Sequence, residues 1–479
     1  MLAARLLERP LVFPVIAGVA LLAYGSGLGI GFVSDDHYWL LSAARGGWRH
    51  AFDLNPHTSA LPFETLLHSL KYELFGFNAL GFHLFDLAGH ILACLLLLQV
   101  ARAAGLSSTW AGAAALLSAA ATAPSQAVYW TASDEHVWAT VGAVTALALY
   151  FKYRTGGHPL LLLGAAILAI AAALTKVEGM AAIFGVLAYE FAWRRHGPWT
   201  PKSAGLLALR LMPFAAAAAL FFGWELTAHD RLRSVSHLGL NMLGRAADIL
   251  RVIVLPVNPL DVIRQPHAHR SLAWLAALAA AAVAFALVVC IIAGFTRRST
   301  LGLGLIWVGT LLPALSLTDA LQPRYAYLPT LITFVAVVSG AAVLWGWFEA
   351  KRVPDAALRL VVTAAFIAVV AVGVRDTAQA SSNYRFAASE ATAFSSAVLA
   401  DHPLLAPSTT IFLIGSPLDV GSAQWVFADP RLGAEINDNV PRIESAPSVQ
   451  AIVSRQPGQP FLIYEREQTG TYVERSFAP

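Results

Sequence analysis

The chain has 479 residues, 57% of them hydrophobic and only 13% charged, with a mean hydropathy of +0.62 and a net charge of +3. Soluble domains carry about twice that charge fraction, so there is too little polar surface to wrap this much apolar side chain in water. The balance excludes an ordinary soluble globule and predicts a chain solvated mostly by lipid.

Arg5 and Arg9 precede the first apolar run, which spans about residues 11–32 and is longer than a secretory signal core, with no small-x-small cleavage site closing it. It reads as an uncleaved first transmembrane helix. A helix crossing the hydrocarbon core needs roughly 20 mostly apolar residues, and about eleven such runs are present: 11–32, 82–103, 108–128, 135–153, 158–175, 178–193, 204–226, 271–295, 300–318, 327–347 and 358–375. Cys94 and Cys290 both lie in such runs, without disulfide or metal-ligand spacing.

Cations set the orientation, because short cytoplasmic loops are enriched in Lys and Arg. Arg5 and Arg9 alternate with Arg102, with Lys152 and Arg154, with Arg194, Arg195 and Lys202, with Arg297 and Arg298, and with Lys351 and Arg352. The intervening "YWTASDEHVW" has no cation. The N-terminus is therefore expected in the cytoplasm and the C-terminus outside. The stretch from Arg231 to Arg270 dissents, being arginine-rich on the outer side.

Two outer-loop helical stretches are expected, at 34–81 and 234–256. In the first, Leu61, Phe63, Leu66, Leu67, Leu70 and Leu74 fall mainly on one face, as in a helix lying along the membrane surface. The fold class expected is thus an all-α polytopic membrane domain over residues 1–375, then a small extracytoplasmic α/β domain over 376–479 with "STTIFLIGSP" and "PFLIYE" as strands. No internal repeat is evident, which weighs against inverted-repeat transporters.

Several positions could carry chemistry. Asp35 and Asp36, in "GFVSDDHYWL", end the first run. Adjacent residues point about 100° apart on a helix, so they are not an equivalent acid/base couple. They are either solvated helix-end or capping carboxylates, or one faces a cavity while the other holds backbone or a metal. Arg324 and Tyr325, in "PRYAYLP", form either an interfacial girdle or a phosphate clamp, since guanidinium binds phosphate bidentately. Lys176 and Glu178, in "LTKVEG", are a surface pair or, for Lys176, a second phosphate cation. His83, Asp86 and His90 share one face of the second helix, as a polar seam or a metal site. No Walker loop, dinucleotide fingerprint, zincin motif or nucleophile elbow is present, and no nucleic-acid partner is expected.

In order, the "SDD" loop, "LPFETLLHSLKYELFGFNALGFHLFDLAGH", "APSQAVYWTASDEH", "LTKVEG" and "PRYAYLP" resemble the polytopic glycosyltransferases of the GT-C superfamily. The likeness is greatest to bacterial relatives of the tetratricopeptide-containing protein O-mannosyltransferases, and it covers residues 11–330. Leu61 stands where an Arg usually precedes the loop proline, Val177 splits the Lys-Glu pair, and Asp86 replaces an Asn.

The resemblance implies an inverting transfer of a sugar from a polyprenyl-phosphate donor to an acceptor hydroxyl of a glycan, lipid or protein, outside the bacterial inner membrane. It implies a first-loop acid, Asp35 or Asp36, as base, and Asp35 is preferred as nearer the first helix. Arg324, Lys176, Tyr325 and Arg264 are then the donor-phosphate residues, and His57, His37, Glu64 and Glu178 an acceptor or cavity set. A divalent metal stays open. The alternatives are a lipid or ion transporter coupled through the Asp pair, and a non-catalytic envelope-assembly partner.

Overall fold

The computed structural model describes residues 11–53, 61–193, 200–228, 322–351, 356–405, 409–418, 420–432, 440–453 and 461–475, with Ile249, Val252, Ile253 and Ile306. His57, Arg264, the runs 271–295 and 300–318, and the outer stretch 234–256 lie outside these residues.

The first run forms α1 (Val12–Tyr24), prolonged by a 3-10 turn to Gly29. Two helices follow outside the spans, α2 (Asp36–Ala44) and α3 (Pro62–Phe75). The chain continues through α4 (Ala79–Ala103), α5 (Ser108–Ala120), the short α6 (Ser125–Tyr129), α7 (Glu135–Arg154), α8 (Pro159–Ala173), α9 (Ala181–Ala188) and α10 (Pro201–Ala228). After the undescribed segment come α11 (Tyr327–Ala350) and α12 (Ala356–Asp401). Among the described residues, five helical segments are long and apolar enough to cross a membrane: Val12–Gly29, Ala79–Ala103, Pro201–Thr227, Arg324–Ala350 and Ala356–Asp401. The chain is an integral membrane protein. The expected run 108–128 is instead broken after Ala120, and 178–193 begins as a 3-10 turn at Val177–Met180.

The apolar window of α12 is unburied in the protein, with Leu360 70% and Ile367 59% exposed, so lipid is its solvent. At 1.5 Å per residue its 46 residues extend about 69 Å, more than twice the hydrocarbon thickness of about 30 Å. One continuous helix therefore runs through the expected 375/376 boundary and carries the C-terminal sheet. That sheet has the order β2 (Arg442–Ala446), β1 (Thr410–Ile414), β3 (Phe461–Arg466), β4 (Tyr472–Glu474). β1 is parallel to both neighbours, and β4 is antiparallel to β3. Phe394 of α12 is wholly buried against Ile411, Leu413, Phe427 and Tyr464, which roots the sheet on the helix.

Helix α3 is inside out by the standards of a soluble protein. Leu70 and Leu74 are 50% and 58% exposed, while Glu64, His68 and Lys71 are buried. The spacing i, i+4, i+7 puts those three on one face. The leucines face away from the protein, and the buried face meets other polar groups. Lys71 Nζ donates to Asp86 Oδ1 of α4 at 2.9 Å and to Asp134 Oδ2, just before α7, at 2.8 Å. All three side chains are fully buried. Burial pulls the Lys71 ammonium down, but the two carboxylates outweigh it and hold its pKa above the ordinary value.

Removing one member of a buried charged group leaves the others uncompensated, at a cost of about 3–5 kcal/mol. Lys71→Met, which keeps the stem volume, should therefore lower the thermal midpoint of the detergent-purified protein sharply. A midpoint unchanged from wild type would contradict the network.

Candidate functional site

The segment Trp130–His136 is where the distant parts of the chain meet. It forms a short 3-10 turn, Thr131–Ser133, ahead of α7. Each of its residues is engaged by another element. The Arg324 guanidinium lies 4.9 Å from the Trp130 ring centroid. Thr131 and the Ala132 N–H both donate to Asp36, the latter at 2.6 Å. Arg324 donates to Ser133 Oγ at 2.8 Å, Lys71 to Asp134, and Lys176 Nζ lies 3.0 Å from Glu135 Oε1. His136 Nδ1 lies 2.7 Å from Glu178 Oε1.

The two aspartates divide their roles. The loop after α1 turns through Ser34, whose φ of 50° is left-handed and unusual for a side-chain-bearing residue. Asp36 is buried, and its two oxygens accept from the backbone N–H groups of Val33 and Ala132 at 2.8 and 2.6 Å. It ties the first loop to the 131–136 turn. Burial pushes its pKa up to about 7, opposed by the Val33 N–H.

Asp35 occupies the N-cap position of α2, yet its side chain makes no capping bond. Its Oδ1 is buried without a hydrogen-bond partner. Burial pushes its pKa up to about 6, Arg324 opposes that shift, and Glu135 adds to it. The capping role open in the sequence is therefore not taken up, and a basic carboxylate stands beside a guanidinium.

The cations come from the far side. Arg324 lies in a 3-10 turn, Pro323–Ala326, at the start of α11; its backbone N–H donates to Gln126 Oε1 at 2.9 Å, and its Nε is buried without a partner. Tyr325 lies edge-on to His136 at 5.3 Å. Lys176 also lies 3.6 Å from Glu64, and Glu135 and Glu64 outweigh burial to hold its pKa above the ordinary range. Glu64 accepts from the Leu61 N–H at 3.2 Å; burial pushes its pKa up to about 7, against Lys176. The Lys176 turn sits tightly on α8 because Gly179 has no Cβ: one built there would lie 2.1 Å from the Ala172 carbonyl.

The structure thus gathers Asp35, Asp36, Arg324, Tyr325, Lys176, Glu64 and Glu178 around one turn. His37 faces elsewhere, with Nδ1 3.5 Å from Asp429 near the C-terminal sheet. His83, Asp86 and His90 go to separate partners: Ile30 O at 3.0 Å, Lys71, and Tyr327 Oη at 2.8 Å. Missed in the sequence were Ser133, Asp134, Glu135 and His136, although "SDEH" is an acidic cluster in plain view. Lys71 was overshadowed by the leucine stripe beside it, while His68 was read, with His57, as a weaker candidate near an acceptor.

Glu64, His68 and Glu135 each offer a ligand atom within 4.8 Å of the others. His68 Nε2 and Glu135 Oε2 lack hydrogen-bond partners, and burial pushes the His68 pKa down to about 4, which keeps the imidazole neutral. One imidazole and two carboxylates fit a divalent cation in kind. Lys176 competes for the same charge.

No protein-family model and no curated protein sequence matches the chain. Solved structures do. Archaeal oligosaccharyltransferase AglB from Archaeoglobus fulgidus, in complex with an inhibitory peptide and a dolichol-phosphate, aligns with a TM-score of 0.52 at 15% identity, over 92% of this chain and 64% of that one. The oligosaccharyltransferase of the same organism in complex with Zn and sulfate gives 0.53 at 16%, over 90% and 62%. The chain shares the fold of this archaeal oligosaccharyltransferase. ArnT from Cupriavidus metallidurans bound to undecaprenyl phosphate aligns at 0.46 and 15%, over 95% and 93%. This chain spans under two thirds of the archaeal enzyme's length, and the likeness is one of fold.

The raised pKa of Asp35 makes its contribution to stability pH-dependent. The folded pKa of Asp35 lies above its unfolded value, so its ionisation costs stability as pH rises through that interval. Asp35→Asn should raise the thermal midpoint at pH 7.5, with the gain fading below about pH 4, where both states are protonated. Thermal unfolding across pH reads this; a midpoint lowered by Asp35→Asn at pH 7.5 would contradict the assignment.

Proposed function

We propose that the protein is a membrane glycosyltransferase that moves a sugar from a polyprenyl-phosphate donor to an acceptor hydroxyl, with inversion, on the outer side of the bacterial inner membrane. Residues 1–375 supply the catalytic fold, and 376–479 an extracytoplasmic domain. The observation that carries this reading is Asp35, a half-buried carboxylate that declines its helix cap, leaves its buried Oδ1 unpartnered and feels the charge of Arg324. The GT-C fold and a neighbour of that fold in complex with a dolichol-phosphate support the donor class.

Asp35 takes the proton of the acceptor hydroxyl as its oxygen bonds to the anomeric carbon. The bond from that carbon to the phosphate oxygen breaks, and its electron pair leaves with the lipid phosphate. A base with a pKa of about 6 is ionised at neutral pH yet more basic than an ordinary carboxylate, which favours proton transfer. The leaving phosphate gains negative charge, and Arg324, with an unused Nε, and Lys176 are the preorganised cations for it. Tyr325 and Glu178 hold His136, the neighbour of Glu135. Glu64, His68 and Glu135 would hold a divalent cation, which would add positive charge for the phosphate when bound. A transporter reading is weaker, because a coupling carboxylate belongs near the bilayer midplane and Asp35 lies beyond the end of the first span.

In purified protein with a polyprenyl-phosphate sugar, Asp35→Asn should lower kcat by about 10²–10⁴, and Arg324→Ala by about 10²–10³. Full transfer by Asp35→Asn would sink the assignment. The wild-type rate should fall as pH drops through about 6, since protonation removes the base. That acidic limb should be absent from the residual activity of Asp35→Asn.

A further inference from the structure

A cavity of about 370 Å³ opens beside α2, between it, the 3-10 turn Gly47–His50 and α3. The mechanism above does not use it. Tyr38, Trp39 and Ser42 line it from α2, Arg45 from the C-cap of that helix, and Thr65 from α3. Its volume lies within the about 300–1,000 Å³ typical of small-molecule sites. Its position along α2 is informative. Residues at i+3, i+4 and i+7 share a helix face, so Tyr38, Trp39 and Ser42 continue the face that begins at Asp35. Ser42 lies about 10 Å along the axis from Asp35 at 1.5 Å per residue. Asp36, a residue out of phase, faces the 131–136 turn instead.

The lining has a definite chemistry. Trp39 stacks on His68 at 4.4 Å and 22°, and also borders a small void with Asp36 and Thr131. Its indole therefore forms the wall between the cavity and the catalytic cluster. Tyr38 packs on Trp425 of the C-terminal region at 5.0 Å and edge-on to Trp39 at 5.5 Å. Two aromatic rings are thus locked in place, with the hydroxyls of Ser42 and Thr65 and the Arg45 guanidinium around them. A sugar ring presents an apolar C–H face and a rim of hydroxyls, which such a lining matches: the rings take the face and the hydroxyls the rim. The lining is made by helices and a turn and offers no strand edge, the feature that takes an extended peptide by main-chain pairing.

We propose that this cavity is an acceptor subsite for a saccharide, which makes the acceptor a glycan and directs one of its hydroxyls along α2 toward Asp35. The proposal rests on the glycosyltransferase reading for its catalytic meaning, but the binding stands or falls separately. The test is saturation-transfer NMR on the full chain in nanodiscs, with α-mannobiose, maltose, N,N′-diacetylchitobiose and an uncharged hexapeptide as probes. At least one disaccharide should receive saturation from the wild-type protein. The signal should fall at least fivefold in Ser42→Trp and in Thr65→Trp, which fill the cavity from two different helices, and should persist in Asp35→Asn. Saturation of the hexapeptide alone, of no disaccharide, or of a disaccharide undiminished in both filled variants would overturn the proposal. Sugar transfer retained by Asp35→Asn alongside intact disaccharide binding would instead overturn the catalytic reading and leave the subsite standing.

Discussion

A single ammonium with no access to solvent organises this protein's polar interior. Lys71 sits between Asp86 and Asp134, and all three side chains are fully buried. An ion pair so placed gives little net stability, because desolvation offsets most of the Coulombic gain. What it gives is specificity of position. Three separate elements, α3, α4 and the turn ahead of α7, must come together in one way or leave a charge unpaired. The next residues in that turn are Glu135 and His136, and the preceding one is Ser133, so the geometry of the cationic groups follows from where Asp134 is held.

The same constraint explains the inverted helix α3. In water, a helix with exposed leucines and buried Glu, His and Lys would turn over. A membrane protein can turn such leucines to lipid without a hydrophobic penalty, and the buried Asp86 of α4 and Asp134 ahead of α7 hold the polar face. The site is therefore built from side chains that a soluble fold would reject. Burial raises the pKa of both aspartates; at Asp35 the charge of Arg324 opposes it without cancelling it, and at Asp36 the N–H groups of Val33 and Ala132 do. Two adjacent aspartates thus differ through their neighbours: Asp36 tethers two segments, and Asp35 keeps an unpartnered oxygen.

Periodicity and composition made much of the architecture legible. The first, second, seventh, tenth and eleventh apolar runs correspond to helices long enough to span, and both quoted strands are β1 and β3. These features depend on local pattern, which is written along the chain. The order of motifs also brought Asp35, Lys176 and Arg324 to one place. The turn 131–136 was read only for its lack of cations, since nothing local says that Asp134 meets a lysine 63 residues earlier or that Ser133 meets an arginine 191 residues later. Nor does local pattern mark which face of α3 is inward: the leucine stripe is the stronger signal, and in lipid it points away from the chemistry.

The C-terminal region is tied to the same geometry by α12. Thr377, at the middle of that helix, is fully buried; its hydroxyl donates to the Ala120 carbonyl at 3.2 Å, and its own carbonyl accepts from Tyr129 at 2.9 Å. Further along, Glu390 takes a bidentate pair from Arg466 of β3, both bonds at 2.6 Å. A helix fixed to the bundle at one point and to the sheet at another leaves the sheet little freedom. It therefore holds Asp429 against His37, Trp425 against Tyr38 and Arg431 over Phe77, three contacts on or beside the outer helices. Burial alone would raise the Asp429 pKa, but His37 and Arg431 hold it well below the ordinary carboxylate range, so it is a fixed anion at neutral pH. Helix α2 is thus clamped from both sides, by the 131–136 turn through Asp36 and by the sheet through its neighbour His37. Asp35, which precedes α2 and keeps its Oδ1 unpartnered, is held in place by the restraint of the residues that follow it.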